Sequence, residues 1–154
     1  MFLEVPYIIK RLKDSEFTPD IYHVVKMLYF ADRAHLLKYD DSITLTKYSY
    51  FDESIKEEFK VVKDDNGNST NKLELLEKKI DLSYLSETNK ECLNAAIAKY
   101  GGYSFNELKN ESHDDIYESV NGEITIFNML DVLNTNKKFA EHVLEIFQNK
   151  TIFV

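Results

Sequence analysis

The chain is short of cysteine, proline and glycine. Its single cysteine, Cys92, excludes an intramolecular disulfide, and this usage is typical of a reducing compartment. Two prolines and four glycines are too few for the many turns of a β-sandwich. No stretch approaches the ~20 apolar residues of a membrane span, and the first residues lack the basic and apolar regions of a signal peptide. These absences predict a cytoplasmic protein without a membrane contact.

The composition is sufficient for one folded domain. The 154 residues are 44% hydrophobic and 30% charged, and a chain of this size buries roughly 70% of its unfolded surface. Neither a disulfide nor a metal is needed for folding. We therefore expect a single domain over residues 1–154, mainly α with a small β element (α+β). The net charge of −8 makes nucleic acid an unlikely partner and suits a basic protein.

Helix-start signals organise the first part of the chain. Residues 4–13 fit a short helix with Pro6 in its first turn. Thr18 is predicted to cap a long helix that reaches about Tyr39, with Pro19 at its first position. Apolar residues recur there at the spacing of one buried face: Ile21, Val24, Val25, Leu28, Ala31, Ala34 and His35.

The middle of the chain predicts the β element. Residues 43–51 are rich in β-branched and aromatic side chains, which favours a strand, whereas residues 53–61 return to helical spacing. Asn66-Gly67 is a favoured hairpin turn, so residues 60–63 and 72–80 are expected to pair. Residues 72–79 by themselves also fit a helix, so both interpretations stay open for this segment.

Serine caps mark the helices of the second half. Ser86 is predicted to begin a helix that stops at Gly101. Ser104 and Glu107 have capping-box spacing, so another helix begins there and stops near His113. Two further helices are predicted over residues 125–133 and 135–149.

No pattern in the sequence completes a catalytic or metal site. The four histidines and one cysteine form no metal-binding pair at ligand spacing, so no metal and no cofactor is expected. Asp32 and His35 could form an acid–base pair on one helix face, but a surface contact with His35 partly buried against the hairpin is the simpler interpretation. Cys92 is expected to be a packed, inert residue, and His113 to lie at a helix end, although its cluster with Asp114-Asp115 could instead bind a cation or shape a recognition loop.

Aromatic side chains are the better candidates for binding a partner. Tyr48, Tyr50 and Phe51 lie in or beside the predicted strand, while Tyr100 and Tyr103 flank Gly101-Gly102. Aromatic residues are common at interfaces and also in small cores, and both remain open here. The predicted partner-binding residues are Tyr48, Tyr50, Phe51, Tyr100, Tyr103 and His113.

Two stretches together resemble a known family. One is Lys26-Met27-Leu28-Tyr29-Phe30-Ala31, with His35 following. The other begins at Leu85-Ser86-Glu87 and continues through Ala98-Lys99-Tyr100-Gly101-Gly102-Tyr103-Ser104 to Glu111-Ser112-His113. Their order and spacing over residues 18–133 resemble the Panacea domain, also called the SocA-like antitoxin domain or DUF4065. The flanking helices would then pack on this region.

The resemblance implies a mostly helical domain with a small β element, and a role as an antitoxin. Members often neutralise diverse toxins by direct protein contact, frequently on phages and mobile elements, and the founding member is a proteolytic adaptor. The chain departs from the family pattern in three places. The usual Gly-Pro after a Lys-Tyr pair is absent at Lys47-Tyr48-Ser49, Ser112 stands for a threonine, and Tyr117 for a tryptophan.

Four functional hypotheses follow. The first is an antitoxin-like protein that binds a cognate toxin encoded nearby. The second is a phage or mobile-element protein that binds a host protein as inhibitor or proteolytic adaptor. The third is a hydrolase that uses Asp32 and His35, and the fourth is a DNA-binding autoregulator, which would need a basic face that the sequence lacks. A binding protein that is not an enzyme is expected, with its surface around residues 47–59 and 100–113.

Overall fold

The computed structural model describes residues 3–39, 59–76 and 80–121, together with residues 128, 129, 132 and 141. Its elements in chain order are α1 (Glu4–Asp14), α2 (Ile21–Tyr39), β1 (Phe59–Lys63), β2 (Ser69–Leu75), a 3₁₀ helix (Leu82–Tyr84), α3 (Glu87–Tyr100), α4 (Phe105–Ser112) and α5 (Asp115–Glu118). The described part is mainly helical with one two-stranded antiparallel sheet, which confirms the predicted α+β class.

Some predictions fall largely outside these residues. The predicted strand over residues 43–51 lies outside them, as do Tyr48, Tyr50 and Phe51. Of the helices predicted over residues 125–133 and 135–149, only Asn128, Met129, Val132 and Glu141 are described, and all four are helical.

Helix α2 lies at the centre of the described fold. It contacts α1, α3, α4 and β2, and nine of its 19 residues are buried. The buried set is wider than one amphipathic stripe: Val24, Met27, Leu28, Tyr29, Phe30, Ala31, Asp32, His35 and Leu36. Ala34, which the spacing placed on the buried face, is exposed. Elements packed on several sides of α2 bury positions that a single-face pattern assigns to solvent.

The start of α2 differs from the prediction because β2 holds the preceding residues. The backbone N–H of Leu73 donates to the Pro19 carbonyl at 2.8 Å, and Asp20 forms an antiparallel bridge with Lys72. Residues 19 and 20 are therefore paired with a strand rather than coiled into the helix. Asp20 caps α2 instead, since its Oδ1 accepts the His23 N–H at 2.7 Å. The predicted cap at Thr18 and first position at Pro19 are wrong.

The hairpin is confirmed, with a longer loop than a two-residue turn. Strands β1 and β2 pair in a register that places Phe59 opposite Leu75 and Val61 opposite Leu73. The Asp64 carboxylate accepts backbone N–H groups of Asn66 and Asn68, and Gly67 has a φ of +80°, a conformation that glycine adopts readily. The helical interpretations were wrong for residues 59–61 and 72–75. Pairing between the two strands determines the conformation of these short segments.

The predicted serine caps are confirmed. The Ser86 hydroxyl accepts the Asn89 N–H at the start of α3. Ser104 and Glu107 form both hydrogen bonds of a capping box at the start of α4. Helix α3 ends at Gly101 as expected, although Gly101 has a φ of −59° and so is not a left-handed cap.

Candidate partner-binding surface

Tyr100 and Tyr103, two of the predicted binding residues, pack on the core side of the turn between α3 and α4. The Tyr100 ring stacks on Phe30 with centroids 4.1 Å apart, and Tyr103 meets Tyr100 edge to face at 5.4 Å. Both side chains are half-buried. These contacts hold α3 and the following turn against α2, so much of each ring is engaged inside the fold.

His113, another predicted binding residue, lies at the C-terminal cap of α4. Its imidazole stacks on the Tyr117 ring with centroids 3.8 Å apart and an interplanar angle of 9°. The helix-end location is therefore confirmed. The stacking places His113 beside an aromatic residue of α5 that is 41% exposed.

An aromatic patch lies where α2, α4 and α5 meet, and we define it as Tyr22, Phe105, His113 and Tyr117. The Tyr22 and Phe105 rings lie 4.3 Å apart between centroids. Phe105 is 57% exposed, at the first residue of α4. Tyr22 lies near Ser112 and Tyr117, and burial raises its pKa. The half-buried Tyr22 thus packs against the exposed Phe105 ring.

Asp114 fixes α5, and so Tyr117, to α2. One carboxylate accepts the backbone N–H groups of Ile116 and Tyr117 at 3.0 and 3.1 Å. It also accepts the Tyr29 hydroxyl at 2.8 Å and pairs with the Arg33 guanidinium at 2.5 Å. Burial, followed by the hydrogen bond to Asp114, raises the pKa of Tyr29. The four-residue α5 is short for a stable helix, so this anchor sets its position.

Among the described residues, Lys26 is the one whose side-chain cation lies over a ring of the patch. Its Nζ lies 5.2 Å from the centroid of the Tyr22 ring, within cation–π range. Burial lowers the Lys26 pKa, while the nearby Asp114 carboxylate opposes that shift. The patch therefore accommodates a positive charge on an aromatic face.

His23 joins the start of α2 to the turn before α4. Its Nδ1 lies 2.7 Å from Asp20 Oδ2 and its Nε2 lies 2.8 Å from the Tyr103 carbonyl oxygen. Both partners are acceptors, so the ring makes both bonds only when both nitrogens carry a proton. The Asp20 hydrogen bond accordingly raises the His23 pKa. Burial alone would raise the Asp20 pKa, but the His23 hydrogen bonds lower it on balance.

This arrangement predicts a loss of stability as the pH rises. Because the folded state raises the His23 pKa, protonated His23 contributes fully to the free energy of unfolding below pH ~6.5, its pKa in the unfolded chain. That contribution is lost as the pH rises through the higher pKa of the folded state. We expect wild type to lose roughly 1.5 kcal/mol of unfolding free energy more than His23→Gln between pH 6 and pH 9, on the scale of a hydrogen bond with a charged partner. Urea titrations at both pH values measure this. Equal pH slopes for wild type and His23→Gln would refute the prediction.

The alternative site at Asp32 and His35 is enclosed rather than superficial. Asp32 is 0% and His35 3% exposed, and His35 Nε2 lies 3.0 Å from the Thr88 hydroxyl of α3. The predicted surface contact with a partly buried His35 is therefore wrong, because both side chains are buried. Glu4 is also buried, and desolvation raises its pKa.

The remaining candidate residues show no sign of a reactive thiol or a metal site within the described part of the chain. Cys92 is buried, as expected, and burial raises its thiol pKa, which disfavours the reactive thiolate. Within the described ranges, no three His, Cys, Asp or Glu side chains come together as a metal site. No described helix combines the length and apolar character needed to cross a membrane.

Three members of the aromatic patch and its anchor were missed as binding residues from sequence. The sequence indicated only that Tyr22 lies in the long helix and that Phe105 lies between the two residues of the capping box. Tyr117 was noted only because it stands where the family has a tryptophan. Asp114 lies 85 residues from Tyr29 in the chain, so no local spacing could pair them. The available signal was Phe105, a large apolar residue at the first position of a helix whose other residues are polar except for the buried Leu108.

The comparisons with known proteins agree with the resemblance found in the sequence. The family model described as Antitoxin SocA-like, Panacea domain, matches residues 24–118, which run from the first turn of α2 to the end of α5. Neither a curated protein nor a solved structure gives a significant match. Since the family model covers more than half of the chain, the protein belongs to the SocA-like antitoxin family defined by the Panacea domain.

Proposed function

We propose that this protein is an antitoxin that neutralises a cognate toxin by binding it directly. Membership of the SocA-like antitoxin family carries the proposal. The net charge of −8 supports a basic protein rather than nucleic acid as the partner. The two exposed rings of the aromatic patch supply the kind of side chains that anchor protein interfaces.

The proposal is for a binding protein and not an enzyme. The acid–base pair suggested by the sequence is buried, and the family model concerns antitoxins. Replacement of Asp32 or His35 would therefore act through folding. Asp32→Asn, which keeps the volume of the side chain, should retain neutralisation at any temperature where the variant is folded.

Co-expression with the adjacent gene tests the proposed function. We expect the neighbour to arrest growth when expressed alone, and co-expression of this chain to restore growth by several orders of magnitude in colony count. A copy of the gene with an early nonsense codon is the matched control, because it keeps the RNA and removes the protein. The two proteins should then co-purify as a complex of defined stoichiometry.

Two outcomes would contradict the proposal. One is a neighbour that is not toxic, which would favour a host protein as the target of an inhibitor or adaptor. The other is restored growth with the nonsense-codon copy, since neutralisation would then not require the protein. If restored growth depends on a host protease and the toxin disappears, the chain acts as an adaptor after binding.

A further inference from the structure

We propose that the aromatic patch, with the exposed carboxylates Glu111, Asp115 and Glu118 around it, binds the partner protein through arginine side chains that the partner presents. The inference rests on the proposed function, because the partner is the cognate toxin. It adds the surface used and the chemistry of the opposing surface, neither of which family membership supplies.

The exposure of the patch is the first argument. Phe105 and Tyr117 are two of the four large hydrophobic side chains that remain exposed among the described residues, the others being Leu37 and Tyr84. Phe105 contacts Tyr22, which lies near Tyr117, and Tyr117 stacks on His113. Leu37 and Tyr84 have no comparable ring partner in the ring contacts of the described residues. Clustered aromatic anchors, rather than scattered ones, mark the centre of an interface.

The charge around the patch is the second argument. Residues 105–118 contain five acidic side chains and one lysine. Asp114 is turned inward to Arg33 and Tyr29. The exposed Glu111, Asp115 and Glu118 form no ion pair with any described residue. Exposed carboxylates on the two helices that carry the exposed rings are complementary to a cationic surface and would also speed its approach.

Arginine fits both features of this surface. A guanidinium stacks on aromatic faces and forms paired hydrogen bonds with a carboxylate, which an ammonium group cannot do. The Lys26 ammonium already lies over the Tyr22 ring, so the patch accepts a cation on a face. The outer rings, Phe105 and Tyr117, remain available to the partner.

The patch is held rigid, which lowers the entropy cost of binding. The capping box fixes Phe105 at the start of α4, and Asp114 fixes Tyr117 in α5. A fully buried aromatic residue covers ~150–250 Å², and Phe105 and Tyr117, at 57% and 41% exposure, can add only about half of that each, whereas a stable interface covers about 800 Å² on each partner. The patch is therefore the energetic centre of a larger contact.

Binding measurements on the purified toxin and the full-length chain test the inference. We expect Phe105→Ala and Tyr117→Ala each to raise the Kd by about 30-fold or more, as for residues at the centre of an interface. Glu111→Lys and Glu118→Lys should each raise the Kd about 10-fold and slow association, and wild-type affinity should fall as salt is raised. Replacing the contacted arginines of the toxin by lysine should weaken binding while keeping the charge.

Matched variants elsewhere on the surface serve as controls. Tyr84→Ala removes an aromatic ring that is 81% exposed before the start of α3. Asp65→Lys reverses an exposed charge in the hairpin loop. Both should bind within about 2-fold of wild type, and circular dichroism should show all variants folded. Patch variants that bind like these controls, while wild type binds the toxin, would overturn the inference and leave the proposed function intact.

Other occupants give different results in the same experiments. Self-association of the chain alone, lost in Phe105→Ala and seen by sedimentation, would make a second copy the occupant and overturn a toxin at this surface. Affinity that is insensitive to salt and to Glu111→Lys would overturn an arginine-presenting partner. If wild type neither binds nor neutralises the neighbour's product, the proposed function fails, and the inference fails with it.

Discussion

Replacing Asp114 with alanine should lower the free energy of unfolding by about 3 kcal/mol. The change removes the cap of α5, worth ~1 kcal/mol, and takes a carboxylate acceptor from a buried tyrosine hydroxyl, worth ~1–3 kcal/mol. The Arg33 pair adds little, because Arg33 is 37% exposed and partly screened. For a chain of this length the melting temperature should fall by roughly 6–12 °C, which calorimetry measures.

The neighbouring carboxylate provides the control for this prediction. Asp115 is exposed in the first turn of α5, so Asp115→Ala should cost ~0.5 kcal/mol or less. Asp114→Asn keeps a capping oxygen and should fall between the two alanine variants. Equal stabilities for Asp114→Ala and Asp115→Ala would mean that α5 is not anchored through Asp114. The Asp114 variant should also weaken partner binding, because Tyr117 loses its fixed position.

Replacing Gly101 with alanine should cost about 2 kcal/mol in unfolding free energy, within the range for overpacking. A Cβ at this position would lie 2.5 Å from the Ile97 carbonyl oxygen and 2.8 Å from the Phe17 ring. The backbone itself is not the obstacle, since Gly101 has a φ of −59°. In an uncrowded site the same change would stabilise the protein by ~0.4–1 kcal/mol through the unfolded state. The contact with the Ile97 carbonyl oxygen therefore makes the change in unfolding free energy destabilising.

Gly102 tests the contact with the Phe17 ring alone, at a longer distance. A Cβ at Gly102 would meet only the Phe17 ring, at 3.1 Å, and a ring can shift by a few tenths of an ångström. Gly102→Ala should therefore cost about 1 kcal/mol or less in urea unfolding. If Gly101→Ala is as stable as wild type or more so, the turn between α3 and α4 is less crowded than the structure indicates.

The parts of the fold that the sequence predicted are those that depend on neighbours in the chain. Ser86 caps α3, and Ser104 with Glu107 caps α4, through hydrogen bonds that reach only three residues. The Asn66-Gly67 pair marked the hairpin because Gly67 needs a positive φ. The family was also recognised from residue order, and its model matches residues 24–118.

The errors arose where a distant element competes with a local signal. Thr18-Pro19-Asp20 carries every mark of a helix start at Thr18, but β2 pairs with residues 19 and 20, so Asp20 becomes the cap. Residues 59–61 have helical spacing but pair with β2. His35 was expected to be only partly buried, whereas it is 3% exposed and lies beside Thr88 of α3.

For this protein the sequence by itself determined the family, the class of fold, the helix caps and the acidic charge, because each depends on composition or on residues a few positions apart. Only the tertiary structure decided which side chains reach solvent. It stacked Tyr100 on Phe30 and Tyr103 against Tyr100, left Phe105 and Tyr117 exposed, and joined Asp114 to residues of α2 more than 80 positions away. The physical reason is that burial and long-range hydrogen bonds depend on how helices pack, and packing is a property of the whole chain.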